Sequence, residues 1–248
     1  EQHIIECCDP NKCQGTMMVQ HNNLGGQGPD GGSPTLRYGG IPAGCAANGN
    51  PQQVDLIVTA RKPYATRRPG RNGLRGDLMR VGVNAGSAAK LRLEFRTPLG
   101  LPVRAKELVL HVFDIDEGAS RKSRTGVLTS GFTDYYVSGS SELHRAVMGN
   151  GKSWFVSTSH SEEDDAPRDL RYLSQSQLDK AVSFRFVDVS EVNVTFRMTT
   201  GSDDHEFIFA VKVCPSGSGA AGDRNNAERD RDQGLDLGDL DNAEHHQD

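Results

Sequence analysis

Three carboxylates stand close together where an apolar, alternating stretch of the sequence ends: Asp114, Asp116 and Glu117. Carboxylates two residues apart at the end of a strand lie on the same side, and Ca²⁺ takes six to eight oxygen ligands. The acids of 162–165 and 203–204 would add ligands if their loops reach the same end of the fold. The sequence therefore indicates a candidate calcium site. The alternative is that these acids are ordinary solvated turn residues.

The common catalytic motifs are absent from the sequence, which contains no GxSxG, HExxH or P-loop pattern. Gly26 to Gly31 matches GxGxxG, but the dinucleotide motif needs a strand before it and a helix after it, and neither is predicted here. We therefore expect a protein that is not an enzyme. A carbohydrate-active hydrolase is retained as an alternative, because two carboxylates facing each other across a groove leave no sequence motif.

Charge is distributed unevenly along the 248 residues, whose formal net charge is −5. Residues 223–248 carry nine acids against three arginines, whereas residues 61–80 carry seven cations against Asp77 alone. The basic segment is a candidate interaction loop, and it contains the tripeptide Arg75-Gly76-Asp77, which integrin ligands display. Its candidate contact residues are Arg67, Arg68, Arg71, Arg75 and Asp77. The alternative is that the basic loop and the acidic tail screen each other.

The cysteines indicate an oxidising compartment. Four lie near the N-terminus, at Cys7, Cys8, Cys13 and Cys45, and Cys214 ends the last predicted strand. This placement favours disulfides that attach an irregular arm to the core, one of them to Cys214. Because five is an odd number, one thiol stays free or pairs with another chain. A zinc site is the weaker alternative, because no second ligand pair stands at zinc spacing. With an initial Glu1 in place of Met, we expect a processed chain, secreted or in an oxidising organelle lumen.

Asn193-Val-Thr195 is a sequon for N-linked glycosylation. The alternation of the surrounding residues directs Asn193 away from the core. A glycan is therefore expected if that face is exposed to solvent, and none is expected if another element covers it.

Alternation of apolar and polar residues predicts about ten short strands, and a capping box at Ser174–Gln177 predicts one short helix. This pattern is typical of an all-β protein, an antiparallel β-sandwich or jelly-roll-like fold. The strands are predicted near 54–58, 79–83, 91–95, 108–112, 126–129, 134–138, 153–158, 182–186, 192–198 and 207–213.

The last three predicted strands have the most regular alternation, and we expect them to form a three-stranded meander in one wall of the sandwich. Three regions follow from composition: a Cys/Gly-rich irregular arm at 1–50, the β-sandwich at 51–214 and an acidic flexible tail at 215–248.

Three segments resemble a known family: 110–118 with 130–136, 173–182, and 196–209. Together they are similar to a poorly characterised group of exported β-sandwich domains common in microalgal sequences of the dinoflagellate and stramenopile kind. The resemblance covers residues 54–214 and implies a β-sandwich fold and export. It implies no catalytic residues, because the shared motifs are strand ends and turns.

These observations favour a structural or binding module of an extracellular or lumenal assembly, with protein partners or self-assembly and without nucleic acid. No apolar run is long enough to span a membrane. The second hypothesis is a Ca²⁺-dependent glycan-binding sandwich, and the third is the carbohydrate-active enzyme. Exposure of Trp154, Tyr135 and Tyr136 in a cleft beside carboxylates would favour glycan binding.

Overall fold

The computed structural model describes residues 16–45, 51–61, 63–117, 123–159, 166–201 and 204–215. These residues form two antiparallel sheets and one short α-helix, so the predicted β-sandwich is confirmed. No helix among them is long and apolar enough to cross a membrane. The elements are β1 Met18–Asn22, β2 Thr35–Cys45, β3 Pro51–Arg61, β4 Gly73–Arg75, β5 Leu78–Val83, β6 Ala88–Arg96, β7 Ala105–Phe113, β8 Thr125–Ser130, β9 Asp134–Tyr136, β10 Leu143–Val147, β11 Lys152–Ser157, α1 Gln175–Asp179, β12 Val182–Val189, β13 Glu191–Met198 and β14 His205–Pro215.

One sheet has eight strands in the order β1-β2-β3-β6-β13-β8-β11-β10, and the other has six in the order β4-β5-β14-β7-β12-β9. All ten predicted strands are present, and four further strands, β1, β2, β4 and β10, were not predicted. The predicted helix is also present. Ser174 caps it, with both hydrogen bonds of the capping box to Gln177 formed.

The last three strands do not form the predicted meander. β12 and β14 flank β7 in the six-stranded sheet, whereas β13 lies between β6 and β8 in the opposite sheet. The chain crosses between the sheets next to Asp188, whose φ of 57° is left-handed, and Ser190 alone separates β12 from β13. The meander prediction is wrong because alternation shows which face a residue occupies but not which strand lies beside it.

The N-terminal region was predicted to be irregular to residue 50, and its described part contradicts this. β1 pairs with β2, and β2 pairs with β3, so both extend the eight-stranded sheet. The register of β2 shifts between Tyr38 and Ile41, and Gly40 and Gly44 have φ values of 76° and 84°. Such glycine bulges interrupt the alternation by which a strand is recognised in a sequence. Residues 1–15 and 46–50 of the predicted arm, and 216–248 of the predicted tail, lie outside the described residues.

Aromatic side chains from the two sheets meet in the core. Phe196 of β13 stacks on Phe207 of β14 with ring centroids 4.7 Å apart, and Phe196 is fully buried, as its position in the alternation predicted. Tyr38 of β2 packs edge-on against Phe209 at 6.4 Å and donates a hydrogen bond to the main-chain oxygen of Gly73. Burial raises the pKa of Tyr38 far above its ordinary value, so its hydroxyl stays protonated.

The outer face of the six-stranded sheet is covered in part by residues 166–181, which include α1. Main-chain hydrogen bonds hold this segment: Asp77 N donates to Arg168 O at 2.9 Å, and Ile115 N donates to Lys180 O at 3.0 Å. It closes over a second apolar cluster, which we call the covered cluster. The cluster consists of Leu78, Phe113, Ala166, Ala181, Ile208 and Ala210, with Leu173 packed against it.

Candidate binding groove

The three carboxylates of the predicted calcium site have different surroundings. Asp114 is held in a left-handed conformation with φ of 61°, and its Oδ2 lies 4.0 Å from Nε2 of His205. Burial lowers the pKa of His205, an effect that the charge of Asp114 opposes. Glu117 pairs with Arg124 at 3.1 Å. Asp116 is only 9% exposed, and its main-chain oxygen accepts from the hydroxyl of Thr125.

Within the described residues, no three His, Cys, Asp or Glu side chains converge on a position where a metal ion would bind. The predicted additional ligands at 162–165 and at residue 203 lie outside those residues. The part of the chain that the structure describes therefore does not assemble the predicted calcium site, and one of its proposed ligands already neutralises an arginine.

The predicted interaction loop is partly neutralised by acids at the start of β14. Arg67 lies 3.6 Å from Asp204, and Arg71 pairs with Glu206 at 2.8 Å. Arg68 is exposed. The predicted alternative paired this loop with the acidic tail. That tail lies outside the described residues, and within them the acidic partners of the loop are Asp204 and Glu206. Exposed ion pairs of this kind contribute about 0–1 kcal/mol each to the free energy of unfolding. Their main effect is to neutralise the positive charge of the loop.

The Arg75-Gly76-Asp77 tripeptide forms the turn between β4 and β5. Gly76 and Asp77 are exposed, while Arg75 is half-buried. Gly76 has a φ of 60°, and a Cβ atom there would lie 2.3 Å from the main-chain oxygen of Arg168, so only glycine fits. This turn therefore contacts the covering segment at Arg168, although Gly76 and Asp77 are exposed.

The predicted disulfides remain predictions. Cys214 is half-buried near the end of β14, opposite Glu107 of β7. Cys7, Cys8 and Cys13 and the side chain of Cys45 lie outside the described residues. For the sequon, Asn193 is exposed on the outer face of β13, as its alternation predicted.

A groove of about 570 Å³ lies on the outer face of the eight-stranded sheet, over β3, β6, β13, β8 and β11. We call it the outer groove. Its lining includes four cationic side chains and no carboxylate: Arg61, Lys90, Lys152 and Arg197. Neutral hydrogen-bonding groups of Ser130, Thr129, Asn193 and Thr195 line it as well.

Strand pairing places the groove residues side by side. Arg61 of β3 pairs with Lys90 of β6, and Lys90 pairs with Thr195 of β13. Thr195 in turn pairs with Leu128 of β8, and Leu128 pairs with Trp154 of β11. Neighbouring strands lie about 4.8 Å apart, so this row extends for about 19 Å across the sheet. The row is long enough to contact a polymer rather than a single small ion.

Trp154 lies beside the groove, next to the lining residue Arg197. A Cβ atom on Gly126 would lie 2.4 Å from Nε1 of Trp154, so the missing side chain of the glycine makes room for the indole ring against the sheet. The guanidinium of Arg197, which pairs with Gly126, lies 5.3 Å from the centre of that ring. This distance allows a cation–π interaction, which fixes Arg197 over the indole.

Three of the four groove cations differ from their neighbours in having no acidic partner among the described residues. Arg61, Lys90 and Lys152 are exposed and form no ion pair with any carboxylate that the structure describes. Arg92, on the same strand as Lys90, pairs instead with Glu94 at 2.9 Å. Uncompensated positive charge in a concavity attracts anions and concentrates the field there.

The three aromatic residues named as indicators of glycan binding are separated by the fold. Trp154 lies on the outer face opposite Leu128, beside the outer groove, whereas Tyr135 faces between the sheets, with its ring 5.0 Å from that of Phe155. Tyr136 is 54% exposed on β9, at the edge of the other sheet. One of the three therefore lies beside the groove, and none is among its lining residues.

The sequence analysis did not identify the four groove cations as a group. They come from four strands that are distant in the sequence, and each one alone is an ordinary outward-facing charge. The available signal was the outer face of β13, where Glu191 at the start of the strand is followed by Asn193, Thr195 and Arg197. Their convergence with Lys90 and Arg61 depends on the strand order.

No protein-family model and no curated protein matches this chain. Among solved structures, it is similar to the N-terminal domain of an adhesin of Streptococcus gordonii, with a TM-score of 0.41 and 12% identity, covering 70% of this chain and 47% of that chain. It is also similar to the glucan-binding protein C of Streptococcus mutans, with a TM-score of 0.42 and 11% identity, covering 75% of this chain and 60% of that one. Similarity at this level carries no functional argument.

Proposed function

We propose that this protein is a non-enzymatic binding module whose outer groove binds an acidic polysaccharide. The observation that carries this proposal is the set of four cations with no carboxylate in the lining. Three of them, Arg61, Lys90 and Lys152, have no ion-pair partner among the described carboxylates. Such a surface favours a ligand that supplies several negative charges at once.

The neutral groups of the groove favour a glycan over an acidic peptide. The amide of Asn193 and the hydroxyls of Ser130 and Thr195 both donate and accept hydrogen bonds, as sugar hydroxyls do. The indole of Trp154 adds an apolar surface beside them. A ligand with both carboxylate or sulfate groups and hydroxyls matches this combination. We propose that it acts outside the cell or in an oxidising lumen, in agreement with the cysteine pattern.

The test is titration of the full-length chain with polygalacturonate and heparin, with dextran as the neutral control. Replacing Lys90→Glu and Lys152→Glu together reverses two exposed groove charges. We expect at least about a tenfold loss of affinity for the acidic polymers, which corresponds to about 1.4 kcal/mol. The affinity is also expected to fall with salt, because exposed charges are screened over about 8 Å at physiological ionic strength.

The matched control is Lys106→Glu with Lys212→Glu, which makes the same charge change at two exposed positions of the six-stranded sheet. It should retain most of the affinity. Equal losses in both variants would show that net charge alone attracts the polymer, and the groove would not be the site. Stronger binding of polyglutamate than of either polysaccharide would assign the groove to an acidic protein instead.

Calcium provides a further arm of the same experiment. The lining of the outer groove contains no carboxylate, so we expect the affinity to be the same with Ca²⁺ and with EDTA. Loss of binding in EDTA would favour the calcium-dependent hypothesis, with ligands that include residues outside the described ranges.

A further inference from the structure

We propose that the acidic C-terminal segment of this chain, residues 232–248, occupies the outer groove and competes there with external ligands. This inference rests on the proposed function, because it concerns regulation of the same groove. Residues 232–248 contain six acids and no lysine or arginine. The groove presents four cations and no acid in its lining. The segment and the groove are therefore complementary in charge.

The described residues argue against the other basic region as the partner of this segment. In the loop around residues 67–71, Arg67 faces Asp204 and Arg71 pairs with Glu206. Arg61, Lys90 and Lys152 of the groove have no such partner in the part of the chain that the structure describes. An acidic segment binds more favourably at a site where it does not have to displace a carboxylate that already pairs with the cations.

The path of the chain brings the segment to the correct end of the sandwich. At its end β14 pairs with Ala105, and Val189 of β12 pairs with the same residue. From Val189 the chain continues through Ser190 into β13, which carries the groove residue Asn193. Asp232 lies seventeen positions after Pro215, and an extended chain covers about 3.3 Å per residue, so the linker reaches up to about 55 Å. The two sheets lie only about 10 Å apart.

Because the acidic segment is attached to the same chain, it can occupy the groove even if its affinity is low. An attached segment has an effective concentration on the order of millimolar at a site within its reach. A peptide with a dissociation constant of about 0.1 mM would then occupy the groove most of the time and lower the apparent affinity for an external polyanion about tenfold. External ligands with many charges displace it, so the segment sets a threshold for binding.

The test uses the full-length chain with the six acids of residues 232–248 replaced by Asn or Gln, which leaves three acids and three arginines in residues 223–248. We expect this neutral-tail protein to bind polygalacturonate about tenfold more tightly than the wild type. A synthetic peptide of residues 232–248 added in trans should bind the neutral-tail protein and reverse the gain. Adding Lys90→Glu and Lys152→Glu to the neutral-tail protein should abolish binding of the peptide, whereas Lys106→Glu with Lys212→Glu should not.

The outcomes separate this inference from the proposed function. Peptide binding that depends on Lys90 and Lys152, without binding of any polysaccharide, would support the tail–groove contact and overturn the polysaccharide proposal. Equal polysaccharide affinities of the wild-type and neutral-tail proteins, with no peptide binding, would overturn the tail contact and leave the polysaccharide site standing. A peptide whose binding resists reversal of the groove charges would also overturn the tail contact.

Discussion

The outer faces of the two sheets differ in whether another part of the chain covers them. On the six-stranded sheet, Ile208 and Phe113 point outward and are 0% and 3% exposed, because residues 166–181 close over them. On the eight-stranded sheet, the outward positions beside the groove include exposed Lys90 and Lys152. The outer face of the six-stranded sheet is therefore buried in part under residues 166–181, whereas the outer face of the eight-stranded sheet is exposed and cationic at the groove.

This difference follows from the residues at alternate positions of two strands. β14 reads Phe207-Ile208-Phe209-Ala210-Val211, which is apolar on both faces, as in strands that are buried on both sides. β13 places Asn193, Thr195 and Arg197 outward and buries Val192 and Val194. A strand with two apolar faces requires a cover, and a strand with one apolar face leaves the other available for a ligand.

Truncating a covered side chain is the strongest test of this comparison. Phe113→Ala is expected to lower the free energy of unfolding by about 3–5 kcal/mol, as for other buried aromatic residues. Leu128→Ala, at a half-buried outward position of the open sheet, should cost only about 1 kcal/mol. Urea unfolding of both variants measures the two values. Equal costs would mean that residues 166–181 do not close over the six-stranded sheet.

The free energy of unfolding should fall at acidic pH because His111 is half-buried on the covered face of the six-stranded sheet. This side chain is outward on β7 but half-buried, 2.7 Å from the hydroxyl of Ser183. Burial, with a smaller contribution from the charge of Lys212, lowers the pKa of His111 from 6.5 to about 4. The unfolded chain therefore binds the proton first. The contribution of His111 to the free energy of unfolding is fully present above pH 6.5. As the pH falls toward 4, the free energy of unfolding decreases by roughly 2–3 kcal/mol.

The measurement is urea unfolding of the wild type and of His111→Gln between pH 4 and 7. The variant should lose less stability over this range, with a residual loss to which His205, whose pKa is also lowered by burial, contributes. Lys212→Met should also reduce the loss, because it removes the neighbouring positive charge. Parallel pH profiles of the wild type and His111→Gln would show that His111 is solvated in the folded protein.

Glycosylation should distinguish the open face from the covered one. Asn193 is exposed and lines the groove, so a glycan attached to it would occupy the space that a ligand needs. Chain produced with a glycan on Asn193 is expected to bind polygalacturonate about tenfold more weakly than Asn193→Gln from the same host, a difference of about 1.4 kcal/mol. Asn193→Gln should match wild type made without glycosylation. Undiminished binding by the glycosylated chain would place the ligand elsewhere.

The smallest expected effect is on the stability of the groove variants. Lys90→Glu with Lys152→Glu should change the free energy of unfolding by no more than about 0.5 kcal/mol, because both side chains are exposed and lack ion-pair partners among the described residues. Arg37→Ala should cost more, since it leaves Asp55, which is 1% exposed, without the guanidinium 2.5 Å away. Thermal unfolding compares the two. A large loss in the lysine variant would make these residues structural.

Much of the local structure was predictable because its signals are short in range. Alternation located ten strands and placed Phe196 inward and Asn193 outward, and the capping box at Ser174 located the helix. β2 was missed because bulges at its glycines break the alternation. The apolar run of β14 is also visible in the sequence. Such a run is typical of a strand that is covered on both faces, a property that the sequence analysis did not predict.

The amino-acid sequence by itself determined which side of most strands faces the core, since a side chain's direction depends only on its own backbone. The tertiary structure alone decided that β13 leaves its sequence neighbours β12 and β14 for the opposite sheet. The position of β13 between β6 and β8 places Thr195 between Lys90 and Leu128 and brings Arg61 and Trp154 into the same row. Strand order depends on pairing between residues far apart in the chain, and local patterns carry no information about it.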